Sequence, residues 1–158
     1  MKTKPYIVLK TYIPWWWPKA PKETCEEIGL HLVGLTKKLG LIPLNDGVLE
    51  AQDWCPWVDM KLHAEVKRYT PDYAKSEDWH KDGDLDEGSN MDHALVFWTT
   101  RFPTELDWKG KIFQAAPFEV ILFRNLSVSH RRPLAAPRGE ERHFFRQRVE
   151  LPKEIKLP

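Results

Sequence analysis

A cadence of short apolar segments in the second half of the chain limits its fold most. Ala94 to Thr100, Ile112 to Ala115, Phe118 to Phe123, Leu126 to His130 and Arg142 to Leu151 are each rich in β-branched or aromatic residues. Turn-forming residues separate them at short intervals, the spacing of a β-sandwich or barrel. No helical segments alternate with these strands, which argues against a parallel α/β sheet. Thirteen prolines argue equally against an all-helical chain. At 158 residues the sequence has the length of one domain, and residues 1–158 are read as a single unit.

The first half adds one helix and a few strands. Pro5 to Ile13 reads as a strand, and Trp15-Trp16-Trp17-Pro18 as a rigid connection whose rings cover a sheet or pack under a helix. Glu23 to Leu39 is the helix. Acids occupy its first turn, Lys37 and Lys38 its last, and Gly40 stands where a left-handed cap belongs. Ile28, Leu32, Leu35 and Leu39 recur at three and four, which predicts one apolar stripe laid on a sheet. Asn45-Asp46-Gly47 is a turn signal, and Met60 to Tyr69 alternates as one strand. Tyr73 to Asp92 is polar and acid-rich, a surface lip around a short strand, and the tail from Pro152 to Pro158 is expected to be loose.

Composition narrows the class of partner. Lys and Arg number 24 against 23 Asp and Glu, so there is no general polyanion-binding surface, and a nucleic-acid substrate would need a local patch. Arg131, Arg132, Arg138 and Arg142 are the nearest thing to one. Cys25 and Cys55 form no C-x-x-C pair and read as reduced structural thiols. No apolar run approaches the length of a membrane span, and Lys2, Lys4 and Lys10 interrupt the N-terminal segment. A cytoplasmic protein is the expectation.

The chemistry centres on Trp79-His80-Lys81-Asp82. Residues two apart on a strand point to one side, so His80 and Asp82 can offer an imidazole nitrogen and a carboxylate oxygen to one ion. His130, at the end of an apolar strand, supplies a third ligand. Two histidines and a carboxylate on one face of an octahedron leave three positions open, the arrangement of non-haem Fe(II) oxygenases. Arg142, across the turn Pro137-Arg138-Gly139, is expected on a strand running antiparallel beside that of His130, where a guanidinium can grip a carboxylate with two hydrogen bonds. Rival patterns are weaker. His63-Ala64-Glu65 has no suitable third ligand following it, and His93 and His143 have no carboxylate two positions on. The acidic run Asp82, Asp84, Asp86 lacks the glycine and glutamate a calcium loop needs. Ser129-His130 lacks a nucleophile elbow.

Val66-Lys67-Arg68-Tyr69-Thr70-Pro71 followed by Trp79-His80-Lys81-Asp82 resembles the strand, tyrosine, turn and H-x-D run of the 2-oxoglutarate/Fe(II)-dependent dioxygenases, particularly their prolyl-hydroxylase-like branch. Phe118 to Phe123 and then Ser129-His130-Arg131-Arg132-Pro133 resembles the strand before the distal histidine, and Gly139-x-x-Arg142 is similar to the co-substrate signature. The resemblance spans roughly Leu62 to Leu151. It implies a mostly β fold with a double-stranded β-helix (jelly-roll) core flanked by the helix. It implies His80, Asp82 and His130 as iron ligands, Arg142 as partner of the 2-oxoglutarate C5 carboxylate, and Tyr69 in the co-substrate pocket. The implied reaction consumes O₂, decarboxylates 2-oxoglutarate to succinate, and hydroxylates a C–H bond of a protein residue or small metabolite. Phe144 stands where a serine or threonine is usual, so Arg138 and Arg146 remain alternatives for the co-substrate arginine. Arg142 and Arg148 share the spacing of the paired arginines in the nucleic-acid demethylase branch, without the Asn and Thr between them. A nucleobase-directed enzyme and a non-catalytic jelly-roll module are the alternative functions.

Overall fold

The computed structural model describes residues 3–11, 22–44, 47–52, 60–63, 66–69, 78–82, 93–133 and 142–158. In chain order the elements are β1 (Tyr6–Thr11), α1 (Lys22–Lys38), β2 (Ile42–Pro43), β3 (Gly47–Gln52), β4 (Met60–His63), β5 (Val66–Tyr69), β6 (Ala94–Thr99), β7 (Glu105–Trp108), β8 (Lys111–Gln114), β9 (Glu119–Arg124), β10 (Ser129–Arg131) and β11 (Arg142–Glu150). An eight-stranded sheet runs β1-β9-β6-β11-β3-β5-β4, with β2 also paired to β11. A three-stranded sheet runs β10-β7-β8. The pairings are antiparallel except for β3 with β5, which is parallel.

The central strands of the large sheet are covered on both faces. Every residue of β6, Ala-Leu-Val-Phe-Trp-Thr, is buried, so the strand is apolar throughout and does not alternate with polar residues. Ala94, Val96 and Trp98 join Val120, Leu122, Phe145 and Val149 in a cluster with Leu32, Val33 and Leu41 of the helix region. Leu95 and Phe97 turn the other way, joining Ile121, Phe123 and Phe144 in a second cluster with Leu106, Ala115 and Val128 of the small-sheet side. The result is three layers: helix, large sheet, small sheet.

Local chemistry sets the edges of these elements. After α1, Gly40 adopts φ +77°, Gly40 N–H donates to Lys37 O and Leu41 N–H to Thr36 O at 3.1 Å each, a Schellman cap. The cap turns Leu41 into the core. β7 and β8 join through Lys109-Gly110, both at positive φ, a type I′ hairpin turn; Asp107 Oδ1 accepts from Gly110 N–H at 3.1 Å.

Several expectations need correction. Met60 to Tyr69 is not one strand: β4 and β5 pair antiparallel with each other. Leu126 lies in a turn, exposed, and β10 begins only at Ser129. The helix buries Leu32 and Val33, whereas Leu39, beyond the last helical turn, is 40% exposed. The tail is not loose, because Leu151, Ile155 and Leu157 pack on the first core cluster. β11 does not lie beside β10. It sits between β6 and β3 in the large sheet and faces the small sheet from across the core. A strand as apolar as Phe144-Phe145 is more stable between two neighbours than on the edge of a three-stranded sheet. Trp15 to Trp17 and the acidic lip at Asp84, Asp86 and Glu87 lie outside the described residues, as do Cys55 and Arg138. Among the described residues no helix is long and apolar enough to cross a membrane.

Candidate metal centre

His80 and His130 meet as a hydrogen-bonded antiparallel pair. His80 N–H donates to His130 O at 3.1 Å and His130 N–H to His80 O at 2.8 Å, which extends the small sheet by one residue beyond β10. Paired residues of this kind project their side chains to the same face. The two imidazoles accordingly stand edge to face, with centroids 4.3 Å apart. Asp82, two residues on, returns to that face. Its Oδ1 lies 3.1 Å from His130 Nε2 and 3.9 Å from His80 Nε2. Among the described residues these three form a group whose ligand atoms all lie within 4.8 Å of one another.

The flanking side chains point to the opposite face and hold the pairing from outside. The Arg131 guanidinium stacks 4.2 Å over the Trp79 ring and donates to Glu105 Oε2 of β7 at 2.9 and 3.1 Å. Lys81 Nζ approaches Ser129 Oγ at 3.4 Å. On the inner side the Phe97 ring meets His130 edge-on at 4.8 Å, with Phe123 at 6.0 Å. His130 is therefore 2% exposed and Asp82 7%, while the His80 side chain, at 35%, marks the solvent side.

Two residues complete the site: Asn125, to which the sequence did not point, and Arg146, which it offered only as an alternative partner for the co-substrate. Asn125, fully buried in the turn after β9, accepts from Asp82 N–H at 3.0 Å and donates to Asp82 O at 2.7 Å. Its side chain thus stands in for a neighbouring strand. No pattern in the sequence ties a turn asparagine to a residue 43 positions earlier. Arg146 of β11 reaches across from the large sheet, and its Nη1 donates to Asp82 Oδ2 at 3.3 Å. Alternation along β11 was the available signal, since Phe144 and Arg146 fall on one side of that strand.

The protonation states suit a metal. Burial alone would push the Asp82 carboxyl up. The hydrogen bond from His130 and the nearby Arg146 guanidinium overcome it, holding the carboxyl well below the usual carboxylate range. Burial pushes the His130 imidazole below its ordinary value despite Asp82, and Arg146 acts in the same direction. The site thus holds an ionised carboxylate and a neutral imidazole, the forms that ligate metals. His80 Nδ1 donates to Asp78 O at 2.6 Å, which directs its Nε2 lone pair toward the site. Donors at bond lengths of about 2.1 Å on adjacent octahedral positions lie roughly 3.0 Å apart, so the 3.1 Å between Asp82 and His130 needs almost no adjustment, while the 3.9 Å to His80 must close when an ion binds. The donor set fits a divalent ion.

The remaining candidates are placed less completely. Arg142 opens β11 opposite Gln52, and Tyr69 ends β5 opposite Glu50; their side chains lie outside the described residues. His63 ends β4, with Ala64 and Glu65 outside the described residues. His93 is buried before β6, where its carbonyl accepts from Asn125 N–H at 2.9 Å, and it is not in the ligand group. No protein family, curated protein or solved structure matches this chain.

Proposed function

We propose that this chain is an Fe(II)- and 2-oxoglutarate-dependent dioxygenase that hydroxylates a C–H bond of a protein residue or a small metabolite. The observation that carries the reading is the convergence of His80 Nε2, His130 Nε2 and Asp82 Oδ1 on one face, between two sheets. Two imidazoles and one carboxylate leave half of an octahedron free for a chelating co-substrate and O₂. The path of the chain supports a double-stranded β-helix. From the His80 bridge in the small sheet it passes to β6 in the large sheet, back to β7 and β8, then to β9, β10 and β11 in alternation. Alternation between facing sheets is what a jelly roll requires.

Iron, when bound, supplies the one-electron chemistry that activates O₂ and couples decarboxylation of 2-oxoglutarate to oxidation of the substrate. The protein's own contribution is position and dryness. Burial under Phe97 and Phe123 holds His130 neutral, and a bound ion would take the place of the Nε2 hydrogen bond to Asp82. Asp82 is kept ionised by His130 and Arg146. Asn125 fixes the Asp82 backbone behind its carboxylate. Exposure at His80 leaves the substrate's approach on that side. In this reading Arg142 grips the C5 carboxylate of 2-oxoglutarate and Tyr69 lines its pocket. Both sit at the same end of the large sheet, in strands that flank β3.

Calorimetry with Mn(II), a redox-inert substitute, tests the reading without knowledge of the substrate. 2-Oxoglutarate is expected to bind the Mn(II)-loaded chain and not the metal-free chain. Arg142→Ala is expected to weaken it by about tenfold or more, as for loss of a charge-assisted hydrogen bond, with Mn(II) affinity retained. Equal 2-oxoglutarate binding with and without metal would contradict the reading.

A further inference from the structure

The two oxygens of the Asp82 carboxylate face different partners. Oδ1 looks toward both imidazole Nε2 atoms, at 3.1 and 3.9 Å. Oδ2 accepts from Arg146 Nη1 at 3.3 Å. The contact crosses the interface between the sheets, since Arg146 belongs to the large sheet and Asp82 follows the residue that extends the small one. In its own sheet Arg146 is in register with Phe97 on one side and Val48 on the other. The same face of β11 carries Phe144, whose ring packs on Phe97 at 4.7 Å. The Arg146 side chain is 29% exposed, and this contact directs its guanidinium to Oδ2. Asn125 clamps the Asp82 backbone at both N–H and C=O, which fixes where its carboxylate starts from.

A guanidinium and a metal ion compete for carboxylate lone pairs. A carboxylate with one oxygen held by Arg146 presents only the other to the ion. The difference matters for the site's capacity. On a six-coordinate ion, one carboxylate oxygen and two imidazoles leave three positions, whereas both oxygens and two imidazoles leave two. A bidentate co-substrate and O₂ together need three.

We infer that Arg146 is a positioning residue that reserves Oδ2 of Asp82 and confines the carboxylate to one-oxygen coordination, so that a third position at the metal stays open. The inference rests on the metal-centre reading of His80, Asp82 and His130, and not on the oxidation chemistry. It assigns Arg146 to the metal-ligating carboxylate and not to the co-substrate.

Infrared difference spectroscopy reads this directly. The full-length chain, ¹³C-labelled at the aspartate side-chain carboxyl, is compared before and after addition of Mn(II). The separation between antisymmetric and symmetric carboxylate stretches is wide when one oxygen binds a metal and narrow when both do. The wild type is expected to show the wide separation, Arg146→Met the narrow one, and Arg146→Lys the wide one again. A residue needed only for folding would give no such rescue and no narrowing. A narrow separation in the wild type overturns the inference without any variant. So does a wide separation in Arg146→Met, or in Arg146→Ala if the methionine variant does not fold; either leaves the metal centre standing. If Mn(II) changes no carboxylate band in the wild type, the metal-centre reading falls and the inference with it.

Discussion

Asp82 carries its charge inside the protein because His130 and Arg146 meet it there, and His130 stays neutral because its ring is sealed by Phe97 and Phe123. These two departures act on stability in different pH ranges. The Asp82 carboxyl titrates below its unfolded value of about 3.9, so its contribution is fully present above that pH and is lost as pH falls through the folded value. His130 titrates below the ordinary histidine value of about 6.5. Below that pH the unfolded chain binds a proton that the folded chain refuses, so stability declines with acid. Between pH 8 and 5 the His130 effect acts alone of the two. Urea unfolding of metal-free protein over that range is expected to show a smaller loss of midpoint in His130→Gln than in the wild type. Equal losses would mean that His130 is not held neutral. Asn125→Ala is expected to weaken Mn(II) binding roughly 10- to 100-fold, the usual effect of removing a residue that orients a ligand. Unchanged affinity in a Mn(II) titration would assign Asn125 to folding alone.

At the scale of elements, the tightest constraint is where β3 enters beneath α1. A Cβ placed on Gly47 would lie 2.8 Å from the Phe145 ring and 2.9 Å from Val33 Cγ2. Phe145 and Val33 are both core residues and cannot retreat. Gly47→Ala is expected to destabilise the protein by about 1–3 kcal/mol, as overpacking does, measured by chemical denaturation with metal absent. A neutral result would mean that the helix stands off the sheet. The strands that bear the core were legible in the sequence because β6, β9 and β11 carry dense aromatic and β-branched runs. β7 was not, since Glu105-Leu106-Asp107-Trp108 turns one fully buried leucine inward and is otherwise polar or half-buried. The break between β4 and β5 was hidden by alternation that runs on across it. His80, Asp82 and His130 were legible because i, i+2 geometry is local and the distal histidine ends an apolar strand. Asn125 and the inward reach of Arg146 were not, because both depend on which strands face each other across the core.

At the scale of the molecule, the three layers divide the labour. The helix and the C-terminal tail close one face of the large sheet, which frees the other face to pack against the small sheet and build the site between them. The small sheet holds the two imidazoles in backbone register, and the large sheet supplies the cation that balances the carboxylate. The site opens to solvent on the His80 side and is backed by the core behind His130. In the proposed function, metal and 2-oxoglutarate meet at these residues. The most direct test is the visible spectrum of metal-free protein under anaerobic conditions, as Fe(II) and then 2-oxoglutarate are added. A weak charge-transfer band is expected that needs both additions and is absent in His130→Ala. No band, with calorimetry showing that neither ligand binds, would contradict it and leave a layered β protein that binds by its surface alone.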